Sequence, residues 1–261
     1  MPQAVLVVLA SAVGLFTHDF YATETLNWQV QSVGQDLVDL ILVSPVLVVT
    51  AILAARKNKI AFLLWNGINI YLVYTFTIYC FDVHFNKLFI IYCIILGLSF
   101  YSCIFFIHTQ KSFQTGKIIF NNPVVKIIAI FFLIIAFLFY ILWLSEIIPS
   151  IIAGRMSKGL AETGLPTNPV HVLDLSIVLP GFFLMAVLLF KKRIIALLFV
   201  PGILVFCLLM DITISTLTLM MKIKELETGY STAIIMATLA LLTMILLLLY
   251  LRIFRSCLKK A

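Results

Sequence analysis

Charge is scarce in this chain. Only 11% of its 261 residues are Asp, Glu, Lys or Arg, while 63% are apolar. A soluble protein of this length has nowhere to hide so much apolar surface, which excludes a water-soluble fold. Cysteine is sparse as well. Cys80, Cys93, Cys103, Cys207 and Cys257 show no CxxC spacing, and most stand inside apolar segments. They read as small buried hydrophobes, which argues against a disulfide framework or a thiolate metal site. Cys257 falls in a basic tail, where lipidation is the chemistry its position suggests.

Motifs of established chemistry are missing too. There is no phosphate-binding glycine loop, nucleophile elbow, haem-attachment pair or protease signature. The apolar runs are continuous rather than alternating, which argues against a transmembrane barrel. The formal charge of +7 does not mark a nucleic-acid binder. No basic stripe with interleaved aromatics stands in a polar segment, and the cations read as topology signals.

What is present is a series of apolar runs near twenty residues long and a mean hydropathy of +1.18. The expectation is an all-α protein, a polytopic transmembrane helical bundle of about eight helices, forming a single integral membrane domain over residues 1–261. Spans are predicted near 3–20, 36–55, 60–80, 87–108, 124–148, 169–190, 194–217 and 230–252. The first contains Ala10-Ser11-Ala12, which faintly resembles a signal-peptidase site. No basic region precedes it, so it counts as a helix. The longest connection, Pro149 to Pro169, carries Gly154, Gly159, Gly164 and Pro166 and reads as a loop.

Cations set the expected orientation. Arg56, Lys57, Lys59, Lys111, Lys117, Lys126, Lys191, Lys192, Arg193, Arg252, Arg255, Lys259 and Lys260 fall on one side, and only Lys87, Arg155, Lys158, Lys222 and Lys224 on the other. The richer side is read as cytoplasmic, with both termini inside an inner or plasma membrane. All eleven acids, from Asp19 to Glu227, fall at or near the outer side.

Two stretches match at an offset of 135 residues. Over 38–67 against 173–202, eleven of thirty positions are identical. Roughly three are expected from so apolar a composition. Asp39 aligns with Asp174, Pro45 with Pro180, Arg56-Lys57 with Lys191-Lys192 and Gly67 with Gly202. The expectation is a 4+4 parallel internal repeat, with halves 1–120 and 121–261.

The same alignment singles out the candidate site. Asp36 meets His171, so each half offers a pair at i,i+3: Asp36 with Asp39, and His171 with Asp174. Asp211 and Glu146 are expected near the same depth, with Asn86, Tyr79 and Trp143 nearby. An ionised Asp at a helix centre costs about 2.5–3.5 kcal/mol, so such residues should face a shared interior. The plain alternative for Asp36 is a first-turn acid favoured by the helix dipole. Asn168-Pro169 reads as an N-cap followed by proline at the first helical position. A divalent metal on His171, Asp174 and Asp39 is a further option, with His84 as a second imidazole. Pro45 and Pro180 should kink their helices, with Ser176 beside the freed carbonyl, or serve ordinary packing. Asn66 and Asn69 should bridge helices. Tyr71, Tyr74, Tyr79 and Tyr92 fit an interfacial belt or packing, or line a pocket.

Three functions compete. One is a transporter or channel-like protein with an outward-facing acidic vestibule for a cation, proton or cationic solute. Another is a membrane-embedded enzyme acting on a lipid or lipid-linked substrate at the outer leaflet, with His171 and Asp174 catalytic. The third is a non-catalytic assembly, immunity or sensing subunit whose acids form internal ion pairs. The lipid bilayer is the expected partner in all three, and nucleic acid in none.

Overall fold

The computed structural model of the protein describes residues 2–109, 119–120, 122–226 and 229–258. Of the residues used to orient the chain, Lys111, Lys117, Lys259, Lys260 and Glu227 lie outside that set. Nine helices are described: α1 (Pro2–Phe16), α2 (Leu26–Ala55), α3 (Lys59–Asp82), α4 (Phe89–Thr109), α5 (Pro123–Ile152), the short α6 (Lys158–Thr163), α7 (Pro169–Phe190), α8 (Ile194–Ile223) and α9 (Ser231–Leu258). No strand occurs among the described residues.

Seven of these helices (α2, α3, α4, α5, α7, α8 and α9) are long and apolar enough to cross a membrane. The eighth predicted span falls on α1, whose 15 residues rise only about 22 Å, against a hydrocarbon core of about 30 Å. Instead α1 buries a stripe of small residues, Ala4, Val7, Ala10, Ser11 and Gly14, and packs on α2 and α4. Small residues let helix backbones approach closely, which is how helices associate in lipid.

Local chemistry explains the helix starts. Thr25, Asn58, Asn122 and Asn168 each cap a helix by accepting a hydrogen bond from a backbone N–H two or three residues on. Pro123 and Pro169 follow two of these caps, as expected for proline in the first turn. The 149–169 connection is partly helical: α5 runs through Pro149 to Ile152, and α6 ends on Gly164 in the left-handed conformation, φ 69°.

The start of α2 differs from expectation. It begins at Leu26, ten residues before the predicted 36. Asn27, Gln29, Gln31, Ser32 and Gln35 make half of residues 26–35 polar, so hydropathy alone does not report them as part of a span. Asp36 is therefore not a first-turn acid. Asp39 stands thirteen residues past Leu26 and sixteen before Ala55, about 20 Å and 24 Å from the two ends at 1.5 Å per residue.

At both prolines the helix widens by one residue. Residues Asp39–Val43 and Asp174–Val178 form one wide π turn each, inside α2 and α7. The Ser44 N–H bonds the Asp39 carbonyl and the Leu179 N–H bonds the Asp174 carbonyl, both five residues back. A wide turn just before proline makes room for its ring and absorbs the missing donor. Ser176 donates to Val172 O at 2.5 Å, not to the carbonyl freed by Pro180.

The two helices also end alike. In α2, Arg56 N bonds Ile52 O, Lys57 N bonds Ala54 O and Asn58 N bonds Leu53 O. In α7, Lys191 N bonds Val187 O, Lys192 N bonds Leu189 O and Arg193 N bonds Leu188 O. Lys57 (φ 62°) and Lys192 (φ 53°) both take the left-handed conformation that glycine usually supplies at this place.

The chain divides into two compact units that do not coincide with the sequence halves. The first comprises residues 1–112 and 201–251, the second 113–200 and 252–261. Inside the first, Gly67 of α3 meets Gly202 of α8. A Cβ on Gly67 would lie 2.5 Å from Gly202 O, so this crossing needs glycine. Inside the second, α5 packs on α7, with Phe132 stacked on Phe182 at 5.6 Å.

Candidate functional site

In the first unit, α3 aims two tyrosines at the paired acids of α2. Tyr79 Oη donates to Asp36 Oδ1 at 2.9 Å, and Tyr21 Oη, from the turn before α2, donates to Asp36 Oδ2 at 2.6 Å. Both oxygens of Asp36 are thus satisfied. Burial, and after it the neighbouring Asp36 carboxyl, pushes the Tyr21 hydroxyl well above its usual range, which keeps it a donor.

Asp39 is different. Tyr71 Oη donates to its Oδ1 at 3.1 Å, while Oδ2 has no hydrogen-bond partner among the described residues. The residue is 0% exposed. Tyr71 has one proton to give and two lone pairs to fill. Gln35 Nε2 donates to it at 2.6 Å, and Thr213 Oγ1 of α8 lies at 2.9 Å. Tyr71 is therefore saturated in this position, and Gln35, the other side chain interacting with the Asp39 carboxyl, directs its amide to the Tyr71 oxygen.

Gly14 makes this packing feasible. A Cβ there would stand 1.9 Å from Asp36 Oδ2 and 2.7 Å from Tyr21 Oη. Asp36 and Asp39 are sealed by these neighbours, 2% and 0% exposed, rather than set on the wall of an open vestibule. The tyrosines are inside as well: Tyr71, Tyr74, Tyr79 and Tyr92 are all at most 5% exposed, which agrees with packing rather than an interfacial belt. They pack among themselves and on the core, as in Tyr79 against Tyr92 at 5.0 Å and Tyr74 against Phe206 at 5.6 Å.

Asp211 joins a different contact. Thr243 Oγ1 of α9 donates to its Oδ2 at 3.2 Å. Asn69 bridges helices as expected, accepting from Gln3 Nε2 of α1 at 3.0 Å; Gln3 also donates to Ser99 Oγ of α4 at 2.7 Å. Asn66 does not bridge by hydrogen bond. It is buried at the crossing with Gly202, and neither amide atom has a partner among the described residues.

In the second unit, Trp143 gathers the predicted residues. Its Nε1 donates to Asp174 Oδ2 at 2.9 Å, and its ring lies 4.5 Å from the His171 ring. His171 Nε2 stands 3.9 Å from Glu146 Oε2, beyond hydrogen-bond reach. His171 Nε2 and Glu146 Oε1 are both buried without a hydrogen-bond partner among the described residues. The cap on Asn168 positions the imidazole, since Asn168 Oδ1 accepts from both Val170 N and His171 N. His171 opens on a cavity of about 770 Å³ whose polar lining includes Arg155, Ser157, Thr167 and Ser176.

No group of three or more His, Cys, Asp and Glu side chains among the described residues is placed to hold a metal. His84, considered as a second imidazole, bonds Glu24 instead. Its Nδ1 lies 2.9 Å from Glu24 Oε2 and its backbone N–H donates to Oε1 at 2.8 Å. Asn86 accepts from Leu88 N at the start of α4.

Tyr79 and Trp143 stand beside the acids as their positions in the chain predict, whereas Tyr21, Gln35, Thr213 and Gly14 join them without a prior expectation. One signal was available on α3, where Tyr71, Thr75 and Tyr79 recur every fourth residue and mark a single polar face. The partners on other elements had no such signal.

Fold and site together define a multipass helical membrane protein with buried carboxylates. No family model, characterised protein or solved structure matches the chain.

Proposed function

We propose that the protein is a transporter or channel-like protein that passes a proton or small cation across the membrane, with Asp39 as the ion-binding group. The observation that carries this reading is the sealed, partnerless Asp39 Oδ2 near the middle of a 30-residue spanning helix. A buried carboxylate left ionised and unpaired costs on the order of several kcal/mol. A proton or cation on Oδ2 removes that cost, so the oxygen is a place where such an ion is held. The groups facing it are Asp36 and Gln35 on its own helix and Tyr71 on α3. None of them can release it by forming an ion pair. The π turn at Asp39 supports the same reading, since such turns concentrate at functional positions.

Matching local structure supports the 4+4 repeat. Two π turns, two prolines and two left-handed lysines recur at the same 135-residue offset. Asp174 is then the counterpart of Asp39. The cation asymmetry continues to favour a cytoplasmic location for both termini.

The test is ion flux in proteoliposomes carrying an internal pH dye. Asp39→Asn, which keeps the shape and removes the charge, is expected to abolish the flux while the unfolding midpoint is retained. Wild-type flux in that variant removes Asp39 from the mechanism.

The cavity at His171 supports a second reading, an enzyme acting on a lipid-linked substrate with His171 as general base. Purified protein incubated with total membrane lipid should then consume a lipid species, and His171→Asn should not. Equal consumption by both proteins removes this reading.

A further inference from the structure

A second cavity lies within the first unit, and it differs from both sites described above. It holds about 700 Å³ and is walled by the first residues of α1, the last turns of α2, the first turns of α3 and the second half of α4. Its wall is mainly apolar, with Trp65 and Phe62 on one side, and Lys57 and Lys59 belong to its lining where α2 hands over to α3.

Small side chains line one end of this cavity. The last turns of α2 line the cavity with Ala51, Ala54 and Ala55. At the matched positions α7 carries Ala186, Leu189 and Phe190. The two helix ends share the same capping bonds and the same left-handed lysine. A helix end capped in the same way therefore carries two small residues in α2 where α7 carries two large ones. Leu189 is 3% exposed, so its bulk fills space in the second unit.

The geometry points to a site for one anionic phospholipid. An acyl chain occupies the alanine-lined cavity, and the phosphate-bearing headgroup sits at Lys57 and Lys59. Charge complementarity selects this occupant. A free inorganic anion has no use for apolar walls, and a neutral lipid has no use for the two lysines in the lining. A basic side chain near an anionic headgroup contributes about fivefold in binding. The site is independent of any ion passage at Asp39, and its test reads lipid binding alone.

Native mass spectrometry of the full-length protein, titrated with phosphatidylglycerol and phosphatidylcholine of the same chain length, is the experiment. One phosphatidylglycerol is expected to remain bound with a preference of about 25-fold over phosphatidylcholine, fivefold for each lysine. Lys57→Gln with Lys59→Gln should erase that preference while keeping a bound lipid. Ala54→Leu with Ala55→Phe, the residues α7 itself carries, should abolish the retained lipid of either kind. Equal retention of the two lipids by the wild-type chain overturns the headgroup assignment. Tight phosphatidylglycerol binding in the filled variant overturns the cavity. Should the filled variant not fold, the lysine pair decides alone, and an unchanged preference there overturns the proposal.

Discussion

A single methyl group added at Gly14 should test the packing on which the Asp36 network depends. The new Cβ would lie 1.9 Å from Asp36 Oδ2, 2.8 Å from its Cγ and 2.7 Å from Tyr21 Oη. Ordinary contact begins well beyond 3 Å, so Asp36 or α1 must move by more than an ångström. Asp36 cannot swing aside freely, because Tyr79 holds its other oxygen. The first bond lost is Tyr21 to Asp36, and a hydrogen bond to a charged group contributes about 1.5–3 kcal/mol. Overpacking a fitted core adds about 1–3 kcal/mol, while alanine gains about 1 kcal/mol over glycine inside a helix. The net expectation for Gly14→Ala is a loss of about 1.5–5 kcal/mol. Gly97 in α4 is the control, since a Cβ there meets nothing within 4 Å. Gly97→Ala should stabilise by about 1 kcal/mol. Reversible unfolding in mixed micelles, titrated with a denaturing detergent, measures both. If the two substitutions shift stability in the same direction by similar amounts, the close approach of α1 to Asp36 is wrong.

Other outcomes follow from the same contacts. Gly67→Ala drives its Cβ into the Gly202 carbonyl at 2.5 Å, whereas Gly202→Ala meets first the Asn66 side chain at 3.2 Å; the former should cost at least about 2 kcal/mol more in the same unfolding titration. Lys57→Gly and Lys192→Gly each relieve a left-handed non-glycine residue and should each stabilise by about 1 kcal/mol; opposite signs at the two positions would contradict the shared helix end. Tyr21→Phe should cost about 1.5–3 kcal/mol at neutral pH. Because the folded Tyr21 hydroxyl titrates above its unfolded range, its stabilisation is complete below about pH 10 and fades as pH rises beyond that. The gap between wild type and Tyr21→Phe should therefore narrow in alkaline unfolding curves, and a gap constant through pH 11 would refute the assignment.

The acids were legible before their surroundings were. Asp36, Asp39, His171 and Asp174 stand out because charge is rare in apolar segments and because they recur at one offset. Trp143 and Tyr79 could be placed near them from helix positions alone. The stretch from Leu26 to Gln35 was not legible as part of a span. Its Gln35 meets the buried Tyr71 of α3 and its Ser32 bonds back to Trp28 O within the helix, and hydropathy scores a polar residue identically whether it meets water or a buried tyrosine. The π turns were hidden for a related reason: a proline announces a lost donor but not which neighbouring carbonyl takes up the slack.

Spans, caps and helix ends rest on local terms, namely the length of an apolar run, a side-chain oxygen two or three residues from a free N–H, and a missing proline donor. These act over a few residues, so composition and spacing place most of the spans in the chain, though not the polar start of α2. The saturation of Asp36, the partnerless oxygen of Asp39 and the approach at Gly14 rest on contacts between residues 15 to 142 positions apart in the chain. Such contacts exist only once helices have packed, because it is packing that chooses which hydroxyl reaches which carboxylate and which oxygen is left without one.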